Sequence, residues 1–426
     1  VRRLVRLALI DVGPLRRHRD FRLLVTARAV SFLGSMVTYV ALPYQVYRLT
    51  GSSLIVGLLG LAELGPLLVT AFLGGALADA IDRRRMVQLT ELALAGASGV
   101  LVLNAALSHP QLWLLFVIAA LMAALDGLQR PSLEAMEPRL VEREELPAAG
   151  AISSLVITAG MIGGPALGGV LIATIGLPAT YGFDVATFAI SLAALRLMRA
   201  VPPPPDADRP SLRSIAEGFR YARGRPELLG TYGVDMVAMF FGMPNALFPA
   251  LAVKLGGGAS LLGLLYAAPA GGAMLATVTS GWVARVHRHG AAVCVAAAGW
   301  GVGIVVVGLA PGVALALAGL VIAGFADMVS GIFRGTIWNQ TIPDRLRGRL
   351  AGIEQVSYST GPLLGNVEAG LVASLAGVRA SIVSGGVLCI AGVAVAAALL
   401  PAFRRYDSRD ALDQPPLGGP ASELMA

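Results

Sequence analysis

The chain of 426 residues is 56% hydrophobic and 14% charged, with a mean hydropathy of +0.73; a soluble protein carries about a quarter charged residues. That balance excludes a soluble enzyme as the bulk of the molecule. The net charge of +7 could suggest nucleic acid, so the positions of the basic residues have to decide.

Apolar stretches of the length that crosses about 30 Å of hydrocarbon as a helix recur along the chain. They predict twelve spans, at 22–47, 54–79, 86–107, 111–136, 147–173, 178–198, 227–252, 259–284, 290–310, 312–337, 349–373 and 377–400. The fold class expected is an all-α membrane protein of two pseudo-symmetric six-helix bundles. Residues 1–21 form a cytoplasmic segment, 22–200 the first bundle, 201–226 a linker, 227–402 the second bundle and 403–426 a cytoplasmic, disordered tail. No cleavable leader is read, so the first span is expected to serve as an uncleaved anchor.

If odd spans run outward, the outer loops hold only Arg48, Lys254 and Arg379, and Arg28, Arg130 and Arg334 fall within spans. The rest of the 33 Lys and Arg lie on the inner side. That imbalance expects both termini in the cytoplasm and a place in the cell (inner) membrane. The basic excess is a topology signal and predicts no nucleic-acid partner.

In chain order, Glu63 is the first unusual group. It lies about 14 Å into the second span at 1.5 Å per residue, where an ionisable side chain costs about 2.5–3.5 kcal/mol. It is either a proton carrier or a neutral acid hydrogen-bonded to a neighbour. Residues 74–85 then end the span in Asp79, Asp82 and three arginines, Arg83–Arg85. Asp126 and Arg130, four apart, share a helix face. With Arg28 they could form one network, as a structural ion cluster or a proton relay. Glu91 and Glu354 are expected to be solvated near the inner surface, and Asp184 and Glu368 to be structural.

Gly160, Gly164, Pro165, Gly168 and Gly169 give the fifth span a small-residue face, and Pro165 removes a backbone donor. The face either packs tightly or takes part in gating. Pro202–Pro205 and Pro210 mark the boundary between halves, followed by an amphipathic helix at 211–223.

In the second half, Asp235 is expected to pair with Arg334, and Asp327 to be the counterpart of Asp126. Tyr44, Phe241 and Tyr266 are either interfacial or packing aromatics or lining of a substrate cavity. Cys294 and Cys389 read as packed thiols without metal spacing, and the four histidines sit at loops or ends. No metal site, cofactor or enzyme motif is expected. The halves also repeat: Gly164-Pro165-x-x-Gly168 returns as Gly361-Pro362-x-x-Gly365. That repeat supports two parallel bundles with a solute path between them.

Gly75-x-Leu77-Ala78-Asp79-x-x-Asp82-Arg83-Arg84 resembles the loop motif of the major facilitator superfamily, with Ala80 and Asp82 in place of its arginine and glycine. Gly160-x-x-x-Gly164-Pro165-x-x-Gly168-Gly169 resembles the helix motif of the superfamily's drug:proton antiporter branch. Phe21-Arg22-x-Leu24, Leu247-Phe248-Pro249-Ala250-Leu251 and Gly263-Leu264-Leu265-Tyr266 are similar to its siderophore exporters.

The resemblance implies a monomeric, proton-coupled exporter of a small amphipathic molecule, a siderophore or a drug, with the proton gradient as its energy source. An importer or facilitator on the same fold is the alternative. Glu63, Asp126 and Asp327 become the proton-coupling candidates. Gly75, Asp79, Arg83 and Arg84 become a latch in which Asp79 engages the start of the eleventh helix near Arg347 and Arg349.

Overall fold

The computed structural model describes residues 11–201 and 220–409, with backbone alone at 72, 75–80, 344–345, 347–349, 351–353 and 355–356. The Pro202–Pro205 linker, residues 211–219 of the amphipathic segment and the tail from 410 lie outside the described residues, and so do the side chains of Asp79, Arg347 and Arg349. Ten helical segments among the described residues are long and apolar enough to cross a membrane.

The first helices are α1 (Arg19–Thr50), α2 (Ser53–Ala80), α3 (Arg83–Ala106) and α4 (Leu112–Met136). The segment Leu146–Arg196 is two helices, because Gly176 breaks it with φ +78° and ψ 171°. Its arms, 146–175 and 177–196, are α5 and α6. Next, α7 comes in two pieces, Pro226–Phe241 and Phe248–Lys254, joined by a 3-10 turn at Asn245–Leu247. It is followed by α8 (Gly258–Val278), α9 (His289–Leu309), α10 (Val313–Thr341), α11 (Asp344–Ala376) and α12 (Val378–Leu399). Counted this way, the described residues supply twelve helices at the predicted places.

Two differences from the expected spans have local causes. The seventh span is broken because Pro244 has no N–H to continue the ladder. The freed groups find tertiary partners: Trp300 Nε1 donates to Gly242 O at 2.8 Å, and Ala246 N donates to Asn366 Oδ1 at 3.0 Å. The eighth helix stops at Val278 instead of 284, and Ser280–Arg285 continues as a 3-10 turn.

The chain forms two compact units, Val1–Leu49 with Gly65–Arg209, and Thr50–Leu64 with Pro210–Ala426. The division departs from the expected bundles at one place. The first half of α2 belongs to the second unit, because Gly57 and Gly60 lie against the α11 backbone at Asn366 and Leu363. A Cβ at Gly60 would stand 2.6 Å from Leu363 O, and one at Gly370 would stand 2.7 Å from Ser53 O.

Each unit uses the same glycine contacts. In the first, Gly164 and Gly168 of α5 lie on Met36 and Val37 of α1, and Gly127 of α4 lies on α2 at Ala71. In the second, Gly361 and Gly365 of α11 lie on Met239 and Phe240 of α7, and Gly324 of α10 lies on α8 at Pro269. Corresponding glycines are about 197 residues apart, the spacing of the repeated motif. The α5–α6 and α11–α12 joints repeat too: Gly377, with φ +90° and ψ 157°, matches Gly176 in a conformation that a side chain would strain. Helical dihedrals run on through Pro165, so the break in that segment falls at Gly176.

The end of the second bundle is fastened. Phe403, fully buried, follows α12 in the short helix Pro401–Arg404, its ring against Gly230. Ser408 N donates to His287 O at 2.9 Å, and Tyr406 Oη donates to Gln340 Oε1 at 3.0 Å. Residues 403–409, expected as disordered tail, are therefore part of the fold.

Candidate functional site

In the second unit Arg334 of α10 lies between two carboxylates. Its guanidinium pairs with Asp235 of α7 and stands 3.8 Å from Asp327, two turns earlier on α10. Tyr358 of α11 presents its ring 5.3 Å from the Arg334 carbon. The side chains of Arg334 and Asp235 are 4% and 5% exposed, and that of Asp327 is 43% exposed. One cation thus serves a sealed carboxylate and an open one. Charge removal at the open acid leaves the buried pair intact, whereas loss of Arg334 strands a buried charge.

The corresponding region of the first unit is arranged differently from the expected network. Arg28 lies 3.7 Å from Glu137 Oε2, which also accepts from Ser153 Oγ at 2.8 Å. Arg130 turns to Glu134 at 3.0 Å on an exposed face, and Asp126 is exposed without an ion pair among the described residues. Arg28, Asp126 and Arg130 therefore form no single network. A helix face allows an i,i+4 pair in either direction, and Glu134 took the arginine.

The glycine register also corrects the pairing between halves. With Gly127 matched to Gly324, Asp327 corresponds to Arg130, not Asp126, and Arg334 corresponds to Glu137. Both units tie their first helix to their fourth by an ion pair, with the signs exchanged: Arg28–Glu137 in one and Asp235–Arg334 in the other.

Glu63 is half-buried on α2 and has no ion pair among the described residues. Gly75 and Asp79 lie in the last turns of α2, and the latch contact expected of Asp79 lies outside the described residues. Arg83 and Arg84 have partners within their own unit. Arg83 Nη1 donates to Ala135 O at 3.1 Å, and Arg84 Nη1 donates to Met198 O. The arginine turn thus holds the carbonyl ends of α4 and α6, as basic side chains do at helix C-termini. Asp82, read above only as a departure from the motif, caps α3 by accepting from Arg85 N at 3.1 Å.

Gly160, Gly164 and Gly168 face Phe32, Met36 and Val37 of α1, and Pro165 and Gly169 are buried in the same helix. Tyr44 is half-buried. Phe241 is half-buried, edge-on to Phe240 with ring centres 4.9 Å apart. Tyr266 is buried: its hydroxyl donates to Asn245 O at 3.0 Å and its ring meets Phe248 at 5.0 Å. It braces the broken α7, the packing role of the two expected for it.

Of two buried acids, sequence reasoning read the role of one and misplaced the other. Asp184, expected only as structural, has no exposed surface and accepts from Thr38 and Ser98, each at 2.7 Å, so it joins α1, α3 and α6. Glu91, expected to be solvated, is 2% exposed. Its place on α3 faces α4 and not the inner surface, as Gln129 Nε2, 3.5 Å from Glu91 Oε1, shows. Three elements had to be placed before the partners of either could be read.

A broken seventh helix, twinned glycine crossings and ion pairs between first and fourth helices define a multi-pass membrane transporter of the major facilitator fold. Solved structures agree on the fold. A bacterial homologue of the human lysosomal transporter Spinster, inward-facing and unoccupied, aligns with TM-score 0.70 and 16% identity over 93% of this chain and 98% of its own. A mutant of the peptide transporter POT aligns with TM-score 0.71 and 14% identity, over 92% and 96%.

The chain belongs to the transmembrane secretion effector family, whose model matches residues 11–422. It is 32% identical over 406 residues to the enterobactin exporter EntS of Citrobacter koseri, covering 93% of this chain and 96% of the relative. The enterobactin exporter EntS of Shigella boydii serotype 4 matches with the same identity and coverage. The protein is accordingly a transporter of small molecules and not an enzyme.

Proposed function

We propose that this protein exports a siderophore or a similarly amphipathic small molecule across the cell (inner) membrane, as a monomer with both termini in the cytoplasm, in exchange for protons. The observation that carries the reading is the 32% identity to enterobactin exporters along nearly the whole of both chains. The orientation rests on the arginine distribution, which places Arg83–Arg85, Arg285 and Arg288 on the side of both termini.

Asp235, Arg334 and Asp327 supply a chemistry for the exchange. While Asp327 is ionised, its open carboxylate can accept a hydrogen bond from a substrate hydroxyl, such as that of a catechol, beside the Arg334 guanidinium. A proton on Asp327 takes the place of that donor. Proton and substrate therefore compete at Asp327, and arrival of the proton expels the substrate. An export cycle needs this linkage to differ between its two states, because a ligand shifts only an equilibrium to which it binds differentially.

Proteoliposomes holding the purified protein test the proposal. With inside-out orientation and an acid interior, enterobactin is expected to accumulate, and collapse of the gradient with an uncoupler is expected to abolish accumulation. Uptake unaffected by the uncoupler would favour a facilitator. Accumulation under the reverse gradient would favour an importer.

A further inference from the structure

Glu91 is 2% exposed in the interior of the first unit, and among the described residues no cation lies within 4.0 Å of it. Its surroundings are polar and come from three other helices. Gln129 of α4 offers Nε2 to Oε1, and the hydroxyls of Ser31 on α1 and Ser191 on α6 face the carboxyl. Ser132, one turn along α4 from Gln129, is also buried. Three oxygens in this region have no hydrogen-bond partner among protein groups: Glu91 Oε2, Ser132 Oγ and Ser191 Oγ.

An ionised carboxylate here would be a buried charge without a counter-ion, which costs several kcal/mol. A serine hydroxyl can donate to a carboxylate oxygen or accept from a carboxyl O–H, so the cage can hold the acid in either protonation state. A neutral carboxyl removes the uncompensated charge, its O–H donating to a serine while Oε1 accepts from Gln129. A metal cation suits the cage less well. No second acid is near, no group of three or more His, Cys, Asp or Glu able to hold a metal occurs among the described residues, and the glutamine faces the carboxyl with its N–H side.

The charged groups on the packed elements are engaged elsewhere. On α1, one turn from Ser31, Arg28 lies against Glu137; on α4, Arg130 holds Glu134, and Asp126 is exposed. On α6, Asp184 is two turns away among hydroxyls, and Arg196 stands at the helix end. At the start of α3, Arg83 and Arg84 hold carbonyls, and Arg85 is the third arginine there.

The cage also sits beside a weak point in α4. Pro131 has no N–H to give, so Gly127 O, two residues before Gln129, lacks its helical donor.

We propose that Glu91, caged by Ser31, Gln129 and Ser191 where α1, α3, α4 and α6 meet, is a proton-binding site that fills and empties during transport. The site rests on the reading of the protein as a proton-coupled exporter. When the proton leaves, Arg28, one turn from Ser31, is the cation placed to move from Glu137 toward the new charge, so proton release shifts α1 against α4.

Infrared spectroscopy of the purified full chain in proteoliposomes tests the site apart from the transport reading. At neutral pH the wild type is expected to show the carbonyl band of a protonated carboxyl that Glu91→Gln removes and Glu63→Gln and Asp126→Asn leave in place. Gln129→Leu is expected to keep the band and alter its pH midpoint, which gives a second measurement should Glu91→Gln fail to fold. In the same vesicles Glu91→Gln is expected to keep gradient-free enterobactin exchange and to lose at least tenfold of its gradient stimulation.

A band of undiminished intensity in Glu91→Gln, a Gln129→Leu midpoint equal to wild type, or a band displaced by sodium at constant pH overturns the proposal. Gradient stimulation undiminished in Glu91→Gln does the same. A wild type whose transport ignores the gradient overturns the exporter reading, while the band still decides whether Glu91 holds a proton.

Discussion

Arg334 is the residue on which the second unit's electrostatics turn. Replacing it with glutamine leaves Asp235 buried without a cation, a loss of about 3–5 kcal/mol. Adding Asp235→Asn removes the stranded charge, so the double variant is expected to recover most of the loss. A double-mutant cycle on thermal unfolding in detergent checks this, and additive effects would contradict the pairing. At Asp82 the expected change is smaller. Asp82→Ala removes the α3 cap and costs about 1 kcal/mol, whereas Asp82→Asn, which can still accept from Arg85 N, is expected to stay near wild type in the same melt. The two residues differed in legibility. Asp235 and Arg334 could be paired from helix depth, a one-dimensional quantity. Arg28 could not be assigned to Glu137, because the direction a side chain leaves its helix depends on how that helix is turned against its neighbours. Glu91 was hidden for the same reason: distance from a helix end says nothing of which face is covered.

Among the helices, the glycine faces make a sharp contrast available within one turn. A Cβ at Gly164 would run into Met36, while one at Gly163 would meet Leu33 at 3.9 Å, an ordinary contact. Gly164→Ala is expected to cost about 1–3 kcal/mol by overpacking, and Gly163→Ala to be close to neutral, read as thermal unfolding midpoints of the two variants. The small-residue face was visible as a spacing of four in the sequence. The break in α7 was not, although Gly242 and Pro244 were in plain view. A proline in an apolar stretch either kinks a helix or ends it, and the choice depended on whether Trp300 and Asn366 stood ready to take the freed backbone groups. At the far end of the second unit, Phe403→Ala is expected to cost about 3–5 kcal/mol, seen as a lower melting temperature and faster proteolysis after residue 400. The neighbouring contacts tolerate acid well. Hydrogen bonds from Arg409 hold the Asp407 carboxyl far below the usual carboxylate range. A group so depressed contributes above the ordinary carboxylate pKa and loses that contribution only as pH falls through its own much lower value. The Asp407–Arg409 contact is therefore expected to add no pH dependence of its own to the proteolytic protection of residues 401–409 between about pH 5 and pH 9.

For the whole molecule, the twelve spans and their two-fold repeat were legible because hydrophobic length and repeated motifs need no third dimension. Membership of residues 50–64 in the second unit was not, since Gly57 and Gly60 are unremarkable until α11 is laid beside them. The offset of about 197 residues, first seen in one glycine–proline motif, turned out to govern glycine crossings at α4 and α10 as well. It also matched Glu137 to Arg334, so the fourth helices of the two units carry opposite charges at one position, while their partners Arg28 and Asp235 sit about one turn apart in the register of the first helices. Two copies of one bundle that differ in this way respond unequally to a proton, and a transporter needs that inequality if protonation is to favour one side of its cycle.

The fastening at Phe403 carries a consequence for how the protein is made. Its ring closes the space beside Gly230, a position synthesised more than 170 residues earlier. The second bundle can therefore enter the lipid helix by helix during translation, yet it waits for nearly its last residues before it is finished. A quality-control protease would meet an open seam until that moment, so ribosomal stalling ahead of residue 401 should yield rapidly degraded chains and stalling well beyond 409 should spare them.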